Sequence, residues 1–429
     1  MKTNIAVGVI LGLLTVFITA CGGEKTAAND LERPGSLLIV GGALRSDNSA
    51  VYQAFIDAIP RQFPNVAIVP VASGRPAHYA EQFSEDLRHY GFAGDIRVLP
   101  IAVLDDSSTG AVDESRWEAG GRDPAVADSL GDVGGIWFVG GDQTRITGAL
   151  FANGEVDTPV LEAIRRQLSR GAVVGGTSAG AAIMSRTMIA AGDSLSALTM
   201  PVADQYVGME TLESGQLMLA TGLGFLPEGI VDQHFDRKAR LGRLVRALGL
   251  MEDPADRIGF GVDEDTALLV DLVDADITVL GAGNLVVADG RLAQFSGGGQ
   301  AFAAQGVQLS VLSAGDRYNW RTGNFELSGS ETQQNEAFGY GVVQGAGIAL
   351  GNQRLDELLG FSLLDNEKAR EVRRFSFDSD SGKGVLFHFR QTESSRGFWR
   401  YRSGTKDQYS IVGVELDIAP VSVTIAPRP

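Results

Sequence analysis

Residues 172–185 read AVVGGTSAGAAIMS. A short β-branched run, Val173 and Val174, breaks at Gly175-Gly176, offers Ser178 between Thr177 and Ala179, and resumes after Gly180 in helix-forming residues. Gly176-Thr177-Ser178-Ala179-Gly180 is a G-x-S-x-G pattern at a strand-to-helix junction, where glycines let the backbone take strained dihedrals and leave room around a hydroxyl. The helix starting there points unsatisfied N–H groups at the same spot. With 55 glycines in the chain, such a pattern also arises by chance as a plain glycine turn, so the surroundings decide.

Those surroundings repeat one theme. GSLLIVGGAL (35–44), NVAIVPVAS (65–73), DIRVLPI (95–101) and GGIWFVGGD (134–142) are short, apolar and rich in Gly, Pro or Ser at their ends. Helical patterns at 49–62, 78–90 and 158–170 separate them. Alternating buried strands and amphipathic helices predict an α/β fold with a mostly parallel sheet covered on both faces. Functional groups collect at the carboxyl ends of such strands, where Gly41-Gly42, Gly140-Gly141 and Gly175-Gly176 stand. From about residue 259 the texture changes to alternating strands without helices, completing a domain of residues 35–328. GSETQQNEAFG (329–339) reads as a boundary. Beyond it, a helical segment (355–374) and strands such as KGVLFHFRQT predict a β-rich C-terminal domain, 340–429, with no chemical motif of its own.

The whole chain has 429 residues, 44% apolar and 21% charged, ordinary for a globular protein. A formal charge of −17 argues against nucleic acid as a partner, since phosphate binding needs a basic face; it tolerates a cationic substrate. Lys2 followed by the uncharged apolar run 5–18 reads as a signal peptide over residues 1–20, too short for a mature membrane span. Ile18-Thr19-Ala20-Cys21 resembles the lipobox of bacterial lipoproteins, which implies cleavage before Cys21, lipidation of its sulfur, and an exported protein anchored to the cell envelope, periplasmic or at the cell surface. Residues 21–34 then read as a flexible tether. Cys21 is the single cysteine, so no intrachain disulfide forms.

A serine nucleophile needs a base, and the chain has four histidines. His78 and His89 belong to an early helix, and His388 alternates with Phe387 and Phe389 in a late strand. His234, in GIVDQHFDRKARLGRL, lies between an apolar strand-like run and a helix. The acid that would fix its tautomer comes from GFGVDEDTALLV, which offers Asp263, Glu264 and Asp265. On a strand, Glu264 would point opposite to the other two, and periodicity does not choose the inner face. The order Ser, His, acid differs from the Ser, Asp, His of ordinary α/β-hydrolases.

GGTSAGAAIM, GGDQTRI, VDQHFDRKARLGRL and GFGVDEDTALLV, in this order, resemble the cyanophycinase family of serine exopeptidases, related to aspartyl dipeptidase. The likeness spans about residues 35–327. It implies a three-layer α/β sandwich akin to class I glutamine amidotransferases, usually dimeric, and a triad falling on Ser178, His234 and Glu264. It implies as substrate cyanophycin, a polyaspartate carrying arginine on its β-carboxyls, released as β-aspartyl-arginine dipeptides. It places Gln143, Asp232 and Gln233 in the pocket, Asp232 as partner of a substrate guanidinium. Lys238 stands where the family commonly has arginine; lysine keeps the charge but loses bidentate geometry.

In that frame Ser178 attacks the carbonyl while His234 takes its proton and returns it to the leaving amine. The oxyanion would sit between the N–H groups of Ala179 and of the Gly140-Gly141 turn, each such donor being worth about 3 kcal/mol of barrier. Arg240 and Arg243 share one helix face, opposite the apolar Leu241, Leu244, Val245 and Leu248, and their guanidiniums suit aspartyl carboxylates. SALTMPVADQYVGMETLESGQ (196–216) reads as an insertion over the site. An isoaspartyl dipeptidase or an esterase would use the same elbow, the esterase with an apolar pocket; a non-catalytic binding lipoprotein would have no need of a complete triad. No spacing fits a metal site, so no cofactor is expected.

Overall fold

The computed structural model describes residues 34–424 and 426, apart from 111, 209–210, 297–300, 343, 347–353 and 402–406. The signal peptide, Cys21 and nearly all of the tether lie outside the described residues.

Five strands run parallel: β1 (Ser36–Val40), β2 (Asn65–Val69), β3 (Ile96–Val98), β4 (Val133–Phe138) and β5 (Val173–Thr177). The chain then gives β6 (Ile230–Asp232) and β7 (Ile258–Val262) to a second sheet. It returns with β8 (Thr266–Asp271), antiparallel to β1, and β9 (Asp276–Gly281), antiparallel to β8. Two short strands, Arg317–Asn319 and Asn324–Glu326, complete a nine-stranded mixed sheet in which β1 is central.

Both faces of the parallel half are apolar, as two covering layers require. Leu38, Val40, Ile68 and Trp137 pack with Val51, Tyr52 and Phe55 of α1 (Ser49–Asp57) and Phe83 and Leu87 of α2 (Pro76–His89). Leu37, Ile39, Phe138 and Val174 pack with Ile146 and Leu150 of α3 (Gln143–Leu150) and Leu161 and Ile164 of α4 (Pro159–Ser169). This is the expected three-layer α/β arrangement. Local signals set the helix ends. Thr158 caps α4 by accepting the Leu161 N–H at 3.4 Å, with Pro159 in the first turn. The pattern read to residue 62 stops at Asp57, since Pro60 has no N–H to continue it.

The second sheet crosses the expected domain boundary. Its strands β10 (Asn284–Asp289) and β11 (Ala303–Ser313) are followed by β12 (Glu371–Phe377), β13 (Lys383–Arg390) and β14 (Gln408–Ser422). β14 pairs antiparallel with β11, placing Leu309 opposite Val414 and Val307 opposite Leu416. Strands β12, β13 and β14 therefore extend a sheet begun by β6. The helix expected over 355–374 is also different. Asp356–Leu364 forms wide π-helical turns, with the Asp365 N–H on the Gly360 carbonyl at 2.9 Å, and 371–377 is the strand β12. Leu358, Leu359, Leu363 and Leu364 are all buried while Glu357 and Phe361 face solvent, and the two leucine pairs stand five residues apart, the i to i+5 spacing of a π turn.

Candidate active site

Ser178 follows β5 at φ 55° and ψ −109°, and α5 (Ala179–Ala182) begins at the next residue. A left-handed, non-glycine conformation is costly, on the order of 1–3 kcal/mol. It is held by the Ser178 N–H on the Val40 carbonyl at 3.0 Å. The flanking glycines are required by contact. A Cβ on Gly176 would meet the Gly180 backbone at 2.8 Å, and one on Gly180 would meet the Phe138 carbonyl at 2.6 Å.

His234 comes two residues after β6, also at positive φ (45°). Its N–H donates to the Gly41 carbonyl at 2.5 Å, and its ring lies so close to Gly42 that a Cβ there would stand 2.4 Å from Nε2. Only glycine fits. Glu264 sits in the turn linking β7 to β8, not on a strand face as the alternation considered above would require. That turn is pinned by the Glu264 N–H on Asp236 Oδ1 (3.1 Å), the Asp265 N–H on the Gly42 carbonyl (2.8 Å) and Asn48 Nδ2 on Asp265 Oδ1 (2.8 Å). The Gly41-Gly42 corner of the central strand thus touches both the imidazole and the acid turn.

Across this corner the three side chains hydrogen-bond in series. Ser178 Oγ is 3.0 Å from His234 Nε2, and Glu264 Oε1 is 2.6 Å from His234 Nδ1. Burial holds the imidazole below its ordinary pKa; the Glu264 hydrogen bond works the other way, and the charges of Lys238 and Arg240 push it further down. A neutral imidazole with Nδ1–H donated to Glu264 leaves Nε2 free to accept the serine proton. Beside it, burial keeps the Asp263 carboxyl far above the usual carboxylate range, with Asp236 adding to the shift. Asp263 Oδ2 accepts the Asn284 N–H at 2.9 Å and fastens the turn to β10.

A cavity of about 370 Å³ opens in front of Ser178 and His234. One side is the strand-end corner, with Gly140, Gly141 and Thr177. Gly141 has φ 143°, and a Cβ on it would strike the Ala72 carbonyl at 2.1 Å. Gly141 lines the cavity with Ser178, and Ala179 is the first helical residue, whose N–H has no intrahelical acceptor. The opposite wall, absent from the sequence reading, comes from α1 and α2: Tyr52, Tyr79, Gln82, Phe83 and Asp86, with Trp137. The 79, 82, 83, 86 spacing was the available signal. It reads as an amphipathic stripe, and sequence alone does not tell a pocket-facing stripe from a core-facing one.

The expected substrate-binding set lies elsewhere. None of Gln143, Asp232, Gln233, Lys238, Arg240 and Arg243 lines this cavity. Gln143 is buried, its amide donating to the Ala190 carbonyl at 2.9 Å. Asp232 is 1% exposed and engaged by Arg243, Nε to Oδ2 at 2.8 Å and Nη2 to Oδ1 at 2.5 Å, which removes it as partner for a substrate guanidinium. Arg243 also donates to the Gly192 carbonyl at 2.6 Å, and Arg240 to that of Gln233, also at 2.6 Å. Burial brings the Arg240 guanidinium down to about 9. The helix Leu241–Leu248 buries Arg243 along with its leucines, so the two arginines face a sealed interior. Gln233 is buried with its Oε1 unpaired among the described residues. Lys238 is ion-paired with Glu213. Glu213 and the Leu212 carbonyl of the 196–216 segment contact this cluster, and none of the segment's described residues lines the cavity.

A serine, histidine and glutamate in that chain order, on a strand-end elbow, agree with a match of the sequence profile named Peptidase family S51 to residues 37–278. The matched span runs from β1 into β9 and holds all three. The chain belongs to peptidase family S51. S51 peptidases are serine-type enzymes, and this one is similar to proteins named cyanophycinase from three cyanobacteria. It is 32% identical to that of Geminocystis herdmanii over 294 residues, 67% of this chain and 94% of the relative. With that of Trichormus variabilis it shares 30% over 66% of this chain and 85% of the relative. With that of Synechococcus elongatus the figures are 31%, 60% and 70%. A solved peptidase from an acI-B1 Actinobacterium aligns over 59% of this chain and 90% of its own, at 22% identity and a TM-score of 0.41.

Proposed function

We propose that this S51 peptidase hydrolyses cyanophycin to β-aspartyl-arginine dipeptides, with Ser178 as nucleophile, His234 as base and then acid, and Glu264 as the group that orients and stabilises the imidazolium. The observation that carries it is the 3.0 Å and 2.6 Å pair of hydrogen bonds beside an open cavity. Attack by Ser178 Oγ on the scissile carbonyl puts negative charge on its oxygen, for which the N–H groups of Gly141 and Ala179 are the donors. His234 passes the serine proton to the departing amine, and water repeats the sequence on the acyl-enzyme. The names of the relatives support the choice of polymer. An esterase reading draws on Leu44, Phe83, Trp137 and Val139 in the cavity wall, but such a pocket has no need of Asp86 and Gln82.

We also propose that the protein is exported and lipid-anchored through Cys21, on the strength of the apolar leader and the lipobox-like Ile18-Thr19-Ala20-Cys21, and so meets polymer released by other cells. Incubating the protein with cyanophycin granules and following β-aspartyl-arginine tests the activity: the wild type should release it and Ser178→Ala should not. Equal release by both removes Ser178 from the mechanism. Metabolic labelling with a fatty acid tests the anchor, and label retained by Cys21→Ala would sink it.

A further inference from the structure

Among the described residues, one acidic or basic side chain besides His234 lines the cavity in front of Ser178: Asp86, on α2. Its Oδ2 is occupied, accepting the Tyr52 hydroxyl at 2.7 Å and the Ser46 hydroxyl at 3.1 Å. These two donors fix the carboxylate and leave Oδ1 to receive a third. One and two turns away on the same helix stand Gln82 and Tyr79, the latter 46% exposed. An exposed aromatic ring lining the same cavity as a half-buried carboxylate is a setting for an organic cation. A guanidinium suits it better than an ammonium, being planar, weakly hydrated and able to stack on a ring while donating an N–H to the carboxylate. A free carboxylate in the same place would meet an uncompensated like charge. At about 370 Å³ the cavity is of the size that holds small ligands.

We propose that Asp86, with Tyr79, forms the subsite that selects a guanidinium-bearing side chain for the Ser178 centre, the task that Asp232 is prevented from performing by its pairing with Arg243. This rests on the peptidase reading above for its purpose, but not for its detection. Asp86→Asn is the informative variant, because the amide oxygen still accepts the Tyr52 hydroxyl while the charge is gone. Tyr79→Ala, at an exposed position, removes the ring without touching the core.

The test is titration of the full-length protein with N-acetyl-arginine amide and with N-acetyl-citrulline amide, which has the same shape and no charge. The wild type should prefer the arginine compound by at least about tenfold. Asp86→Asn should reduce the preference to under about twofold, and Tyr79→Ala should weaken arginine binding by about three- to tenfold. A wild type without preference, or a preference surviving Asp86→Asn, overturns the proposal. In parallel, cyanophycin hydrolysis separates the two ideas. If the preference depends on Asp86 but no polymer is cleaved, the subsite stands and the substrate reading falls. If dipeptide is released at the same kcat/KM by wild type and Asp86→Asn, the peptidase stands and the subsite falls.

Discussion

One residue, Gln233, separates Asp232 from His234, yet the two belong to opposite kinds of environment. His234 stands at the mouth of a cavity, bonded to a serine and a glutamate; Asp232 is sealed at 1% exposure beneath two arginines. What divides them is the backbone. β6 ends at Asp232, and the left-handed φ of His234 turns its ring out to the Gly42 corner. Nearness along a chain therefore says little about membership of a site when a single residue can reverse direction between them. One environment is arranged for chemistry and the other for cohesion, and variants should respond accordingly.

The largest expected effect is at the serine. Ser178→Ala should lower kcat by roughly 10⁶-fold while the thermal midpoint holds, and Ser178→Gly should raise it, because glycine removes the strain of a positive φ, on the order of 1 kcal/mol. Calorimetry beside a peptide-release assay checks both. In the sealed cluster the pattern inverts. Arg243→Met strips Asp232 of its two-pronged partner and leaves Arg240, 3.7 Å away, as the remaining cation beside it, a loss of about 3 kcal/mol of stability, with the folded fraction keeping its KM. A raised KM with unaltered stability would show that the arginine reaches substrate after all.

Lys238 lies between the two environments and should report through pH. Its charge helps hold His234 below the ordinary histidine value, and the base must be neutral to act. The acid limb of kcat/KM should therefore fall below that value in the wild type. Removing the charge with Lys238→Met raises the imidazole pKa, so the limb moves to higher pH. A limb that stays in place would mean that Glu213 already neutralises the lysine.

The smallest effect is at Asp263. Its folded-state pKa is raised, so it binds a proton that the unfolded chain has lost at neutral pH, and stability declines as pH climbs from the unfolded value toward the folded one. Asp263→Asn has no proton to lose. It should be as stable as the wild type or more so at pH 7, with the difference vanishing near pH 4. Urea unfolding at the two values decides.

Much of this was legible beforehand for definite reasons. Buried parallel strands are continuous apolar runs, and glycines crowd their ends where backbones touch, so the positions of β1, β4 and β5 and of Ser178 follow from local pattern. The Ser178, His234, Glu264 set came from short motifs in order. The pairing of Asp232 with Arg243 spans 11 residues and two elements, and an arginine on a helix looks the same in sequence whether it meets water or a buried acid. The wall carried by Tyr79, Gln82 and Asp86 was hidden for a related cause: helical spacing gives a face without naming its neighbour. The helix expected over 355–374 was misjudged because its leucine pairs, Leu358-Leu359 and Leu363-Leu364, recur five residues apart, a spacing that a π turn buries as readily as an α-helix.

The shared second sheet has a practical bearing on anyone trimming this protein. β14 pairs with β11 from Ala304 to Val311, most of an eleven-residue strand carrying the buried Val307, Leu309 and Val311. Ending the polypeptide at residue 328 would strip that cover and bare a long row of unsatisfied amides and carbonyls flanked by aliphatic side chains, the kind of rim that recruits other copies into insoluble stacks. The last hundred residues work as a permanent hem on the fabric of the enzyme, and material made without them should be recovered from inclusion bodies.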